Sequence, residues 1–218
     1  MGRPRLPQHG FSLIELMIVV LLLAIVSAFA MPAFQSFIAS SRLTSEANEV
    51  LAALNLARSE AVRVQRRVVL CRAAQTNGQV VPSATSGCVT TTTSQPWQGW
   101  FVFVDNDADG VFDVGETVIR TQTLTAGGLV IVSNSALGTA GNRIIFRPDG
   151  LARAQDSVAL QNAEFVVCDT SGALSGANAR TITLLSGSRM NVTRTTSANC
   201  GISIEEPSEE EGSAEEET

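Results

Sequence analysis

Phe11-Ser12-Leu13-Ile14-Glu15-Leu16-Met17-Ile18-Val19-Val20-Leu21-Leu22-Leu23-Ala24-Ile25-Val26 is the stretch on which the reading of this chain turns. Continued through Ser27-Ala28-Phe29-Ala30-Met31, it holds 21 residues with one charge, Glu15. As a helix it rises about 31 Å, the thickness of a bilayer core. Arg3 and Arg5 precede it, and no basic residue follows until Arg42. The positive-inside rule then puts the N-terminus in the cytoplasm and the rest of the chain outside.

Two kinds of processing fit such a segment. One is an ordinary secretory signal cut after Ala30, with Ala28-Phe29-Ala30 as the small-x-small site, which would release a secreted, calcium-stabilised binding module. Glu15 speaks against it. A carboxylate inside an apolar span costs about 2.5–3.5 kcal/mol and is usually functional; the bland alternative is an edge residue that snorkels to the headgroups.

The run Gly10-Phe11-Ser12-Leu13-Ile14-Glu15-Leu16-Met17 resembles the class III leader of type IV pilins and type II secretion pseudopilins. The resemblance implies that residues 1–10 are a leader removed by prepilin peptidase after Gly10, and that Phe11 is the new, N-methylated first residue. Residues 11–31 would remain as a transmembrane helix, and Glu15 would serve subunit assembly by pairing with the terminal amine of a neighbouring pilin. Pro32 matches the helix-softening proline of many pilins.

Beyond the membrane segment the periodicity remains helical. Phe34, Phe37, Ile38, Leu43, Ala47, Val50, Leu51, Leu54, Ala57, Ala61 and Val64 recur in steps of three and four, opposite Arg42, Glu46, Glu49, Arg58, Arg63 and Arg66. This predicts that residues 32–67 continue the helix and pack that face on something. The period then changes to two. Runs at 68–71, 100–104, 117–121, 129–132, 143–146, 164–168 and 180–185 read as strands between Gly, Asn, Asp, Pro and Ser clusters, with no helix long enough for a parallel crossover. The predicted fold is α+β and type IV pilin-like: one long N-terminal helix on an antiparallel β domain at 68–204, exposed to the periplasm.

Charge excludes more than it suggests. The chain has 15 arginines, no lysine, one histidine (His9) and 21 acids. Eight of those acids are glutamates at 205, 206, 209, 210, 211, 215, 216 and 217, in a segment (205–218) predicted to be disordered. A Schiff-base lysine is impossible, a histidine-based triad or zinc site could use only His9, and no nucleophile–base pair stands out. The expected role is structural rather than catalytic.

Four cysteines, Cys71, Cys88, Cys168 and Cys200, fall in the exported part. Three pairings are possible. Neighbour pairing closes loops of 16 and 31 intervening residues, each contributing roughly 3–4 kcal/mol through the unfolded state. A metal cluster would need CxxC spacing or a nearby histidine, and neither is present.

The layout after the helix sharpens the resemblance. Val68-Val69-Leu70-Cys71, Cys88, Trp97-Gln98-Gly99-Trp100-Phe101-Val102-Phe103-Val104-Asp105, Gly115-Glu116 and Arg120 are similar to the GspH/FimT family of minor pilins and pseudopilins. That implies a low-abundance subunit at or near a filament tip. Some relatives bind DNA through a late Gly-Arg-x-Arg motif. Here the stretch reads Gly187-Ser188-Arg189-Met190, with Arg194 further on; this departure and the acidic tail argue against DNA as a partner.

One constellation carries chemistry of its own. Asp105, Asp107, Asp109, Gly110, Asp113 and Glu116 match the twelve-residue EF-hand calcium loop at positions 1, 3, 5, 6, 9 and 12, and Val111 would supply the backbone carbonyl of position 7. The flanks read as strands rather than helices, so the alternative is a hairpin turn whose side chains bond its own backbone.

Overall fold

The computed structural model describes residues 12–83, 87–91, 95–124, 127–198 and 200. Gly10, Phe11 and the 205–218 tail lie outside them. The first element, α1 (Leu13–Val64), is one uninterrupted helix of 52 residues, about 78 Å long. It passes through Pro32 and ends where Gln65 takes a left-handed conformation, φ 54°.

Eight strands come after it: β1 (Arg67–Ala73), β2 (Gly99–Asp105), β3 (Thr117–Thr123), β4 (Leu129–Ser133), β5 (Arg143–Phe146), β6 (Ala163–Asp169), β7 (Ala179–Leu185) and β8 (Arg189–Thr195), with a short α2 (Ser135–Thr139) before β5. All pair antiparallel, in two four-stranded sheets ordered β3-β2-β1-β5 and β4-β6-β7-β8. The fold is α+β, a long helix on antiparallel sheet.

The main core lies where α1 meets both sheets. Leu43, Ala47, Val50, Ala53, Leu54, Ala57 and Ala61 come from the helix, Val68, Leu70, Trp100, Val102, Ile144 and Phe146 from the first sheet, and Ile131, Phe165, Val167, Ile182 and Leu184 from the second. The alanines matter, because their small side chains let the helix axis approach the sheets. The expected apolar face is shorter than its periodicity suggested. Phe34 and Phe37 are 64 % and 70 % exposed, whereas Leu43 is fully buried. The sheets reach the helix only from about its fourth decade of residues, so the earlier part finds no partner within the described chain.

Trp97 stitches the sheets together. Its backbone N–H donates to Ile131 O of β4, its indole Nε1 donates to Ser133 Oγ at 3.1 Å, and its ring meets Phe165 edge-on at 5.2 Å. β2 is buried on both faces, which explains its near-continuous apolar run. Its outer face carries Phe101 and Phe103, capped by Phe112, whose ring packs T-shaped on both at 5.4 and 5.2 Å.

Candidate functional site

Among the described residues no catalytic constellation organises the molecule; two regions carry its chemistry. The first is the outer half of α1. From Leu13 to Phe37 the large apolar side chains lie open. Length and apolar composition would let this helix cross a membrane. Glu15 sits in its first turn and is exposed, and among the described residues its carboxylate has no partner.

The second is the loop between β2 and β3. It opens at buried Asp105, whose Oδ1 accepts from the Ala108 N–H at 2.7 Å and whose Oδ2 accepts from the Gly110 N–H at 3.0 Å. Gly110 has φ +74°, and a Cβ there would press on the end of the Gln155 side chain, so this position favours glycine. Asp107 and Asp109 accept from the N–H groups of Asp109 and Val111. One carboxylate oxygen each from Asp105, Asp107 and Asp109 lies within 4.8 Å of the others. Oxygens on one calcium ion at 2.3–2.6 Å can be no more than about 5 Å apart, so this trio fits.

The rest of the expected ligand set is placed differently. Both Glu116 oxygens accept loop amides, Asn106 N–H at 2.6 Å and Asp113 N–H at 3.1 Å, and neither Glu116 nor Asp113 joins the cluster. Arginines anchor the turn from outside. Arg66 donates to Asn106 Oδ1, Arg67 to Ala108 O and Arg143 to Gly110 O, while Gln155 Nε2 donates to Ala108 O. Sequence reasoning missed these contacts, because they join positions tens of residues apart and carry no local pattern.

Burial, the largest influence, raises the pKa of Asp105 against the lowering effect of its two backbone bonds and Arg67. Burial likewise raises Glu116, opposed by its own two amide bonds.

The four cysteines join as Cys71–Cys88 and Cys168–Cys200, each with Cα atoms 5.5 Å apart. Arg189 and Arg194 do not form one surface. Five positions apart on β8, they project to opposite faces of the strand, about 17 Å apart along it. On α1, Glu49 bonds Arg120 of β3 at 2.6 Å, and that guanidinium lies 5.9 Å from the Trp100 ring centre, tying helix to first sheet.

The family described as type II transport protein GspH matches residues 46–188, and the prokaryotic N-terminal methylation motif matches residues 5–31. The chain belongs to the GspH family. Its members are pilin-like structural subunits, not enzymes, and this one is a subunit of the pilin and pseudopilin kind. The type IV major alpha-pilin and fimbrial protein Q of Moraxella bovis are each 47 % identical over 45 residues, 21 % of this chain. The match spans only 28 % and 29 % of those relatives. Two crystal forms of the type IV minor pilin FimU of Pseudomonas aeruginosa align over 72 % and 69 % of the GspH-family chain and 92 % of their own. Their identities are 18 % and 20 %, and their TM-scores 0.46 and 0.42.

Proposed function

We propose that this GspH-family protein is cut by prepilin peptidase after Gly10, held in the inner membrane by residues 11–31, and assembled with other pilins into a type IV pilus or type II secretion pseudopilus. The observation that carries the reading is the exposed apolar half of α1. A helix whose first two dozen residues leave their apolar side chains open needs lipid, or the same helices of neighbouring subunits, to cover them. The globular body would face the periplasm, and Glu15 would pair with the α-amine of Phe11 on a neighbour. With no lysine in the chain, that α-amine would be the sole amine of the processed protein. The test is intact mass of membrane-extracted protein. A chain starting at Phe11 with one added methyl is expected, and a soluble chain starting at Met31 would overturn the proposal.

The 105–116 loop supports a second reading, favoured by the approach of the Asp105, Asp107 and Asp109 oxygens. A calcium ion there would relieve their mutual repulsion and pin the turn that seats Phe112 on the first sheet.

A further inference from the structure

We infer that the glutamates of residues 205–217 dock in cis on an arginine pair, Arg180 and Arg194, at one end of β7 and β8. Arg180 is 4 % exposed. Its guanidinium donates to the carbonyls of Ala177 and Ala179 at 3.1 and 2.9 Å and approaches Thr44 Oγ1 of α1 at 3.5 Å. Arg194 stands directly opposite it in the β7–β8 register and is exposed.

Neither arginine belongs to any ion pair among the described residues. Burial, and then the charge of Arg194, lowers the pKa of Arg180. A buried guanidinium that has carbonyls but no counter-charge is costly, and like charges directly opposite on paired strands repel. The site therefore calls for carboxylates, placed on the open side of Arg194.

The chain supplies them nearby. Cys200 is bonded to Cys168, Cys168 pairs with Ala179, and Ala179 pairs with Thr195. The tail thus departs one register row from the Arg180–Arg194 row. Cys200 packs with Cys168 and Ala179 on the sheet face turned away from α1, whereas Arg180 points toward the helix. β8 is the outermost strand of its sheet, so only one edge separates the two faces. The five residues from Cys200 to Glu205 can span about 17 Å, enough to round that edge. Eight glutamates then come within thirteen residues. A short tether gives an effective concentration of order millimolar, which favours this chain's own tail over another's.

The test uses the full chain in detergent, labelled with ¹⁵N-arginine. Deleting residues 205–218 should shift the Nε–Hε resonances of Arg180 and Arg194 and leave those of Arg42 and Arg147 in place. At 1 M salt, where the Debye length is about 3 Å, intact and deleted chains should give the same spectrum. Arg194→Gln and Arg180→Gln assign the two signals; should Arg180→Gln fail to fold, Arg194→Gln and the deletion still decide. Unchanged spectra on deletion would overturn the proposal. So would recovery of the intact positions when labelled, deleted chain is mixed with unlabelled intact chain, because the tail would then act on a second copy.

Discussion

At the residue scale two glutamates on α1 share a helix and differ in what surrounds them. Glu15 lies in the apolar, open part, where a carboxylate is tolerated only with a partner. On the proposed function, Glu15→Ala should leave membrane insertion and cleavage after Gly10 intact. It should cut incorporation into filaments by more than about a hundredfold, because losing a buried ion-pair partner costs about 3–5 kcal/mol. Co-purification with sheared filaments measures this, and normal incorporation would remove the assembly role. Glu46 lies in the packed part, its Oε1 buried and without a hydrogen-bond partner among the described residues. Burial first, and neighbouring Glu49 second, raise its pKa. The sign comes from proton counting. Between the ordinary carboxylate pKa and the raised one, the folded chain holds more protons than the unfolded chain. Stability therefore falls as pH rises through that window, and the cost persists at neutral pH. Glu46→Gln should raise the melting temperature at pH 7 and flatten its pH dependence just above the ordinary glutamate value of 4.5. The gain should be at most about 1 kcal/mol, since the half-exposed group is screened by solvent. An unchanged or lower midpoint at pH 7 would refute it.

At the element scale the β2–β3 loop shows how a motif is rewritten by its flanks. The spacing of Asp105, Asp107, Asp109 and Glu116 matches a calcium loop, and the strands on either side were legible in the sequence. The arginines that hold it were not, because they arrive on chain segments distant in sequence; nor was the turning of Glu116 onto two amides of its own loop, which depends on how that loop folds back on itself. If calcium binds the folded state alone, it raises stability by about 2.7 kcal/mol at a hundredfold excess over Kd. Detergent-extracted protein, followed by the fluorescence of buried Trp97 and Trp100, should melt higher in millimolar calcium than in chelator. Asp105→Ala should abolish the difference, and magnesium should replace calcium poorly. Melting that ignores both calcium and chelator would leave a turn held by its own backbone and the arginines. The eighth strand was illegible for a different reason. Arg189-Met190-Asn191-Val192-Thr193-Arg194-Thr195 has only Met190 and Val192 as apolar residues on its inner face, beside Arg194, and both are partly buried, as suits an edge strand.

At the scale of the whole molecule the two disulfides fasten the ends of the β domain. Cys71–Cys88 ties the loop after β1 to its own strand, and Cys168–Cys200 ties the segment after β8 to β6. Cys168→Ala with Cys200→Ala should lower stability by about 3 kcal/mol, since the loop released is long. The melting midpoint should drop by about 6–12 °C. Non-reducing peptide mapping of the wild type should recover both links, and a Cys71–Cys200 peptide would contradict the arrangement. The sequence by itself determined the long helix, its apolar outer half, the change of period near Arg67 and the antiparallel character of the strands beyond it. These are local signals, repeated every three to four or every two residues, and they survive without knowledge of neighbours. Only the tertiary structure decided that the strands divide into two sheets, that Trp97 bridges them, that the packed face of α1 begins at Leu43, and that Arg180 meets Arg194. Each depends on which distant segment arrives at a given surface, and the side-chain pattern of one segment carries no record of its partner.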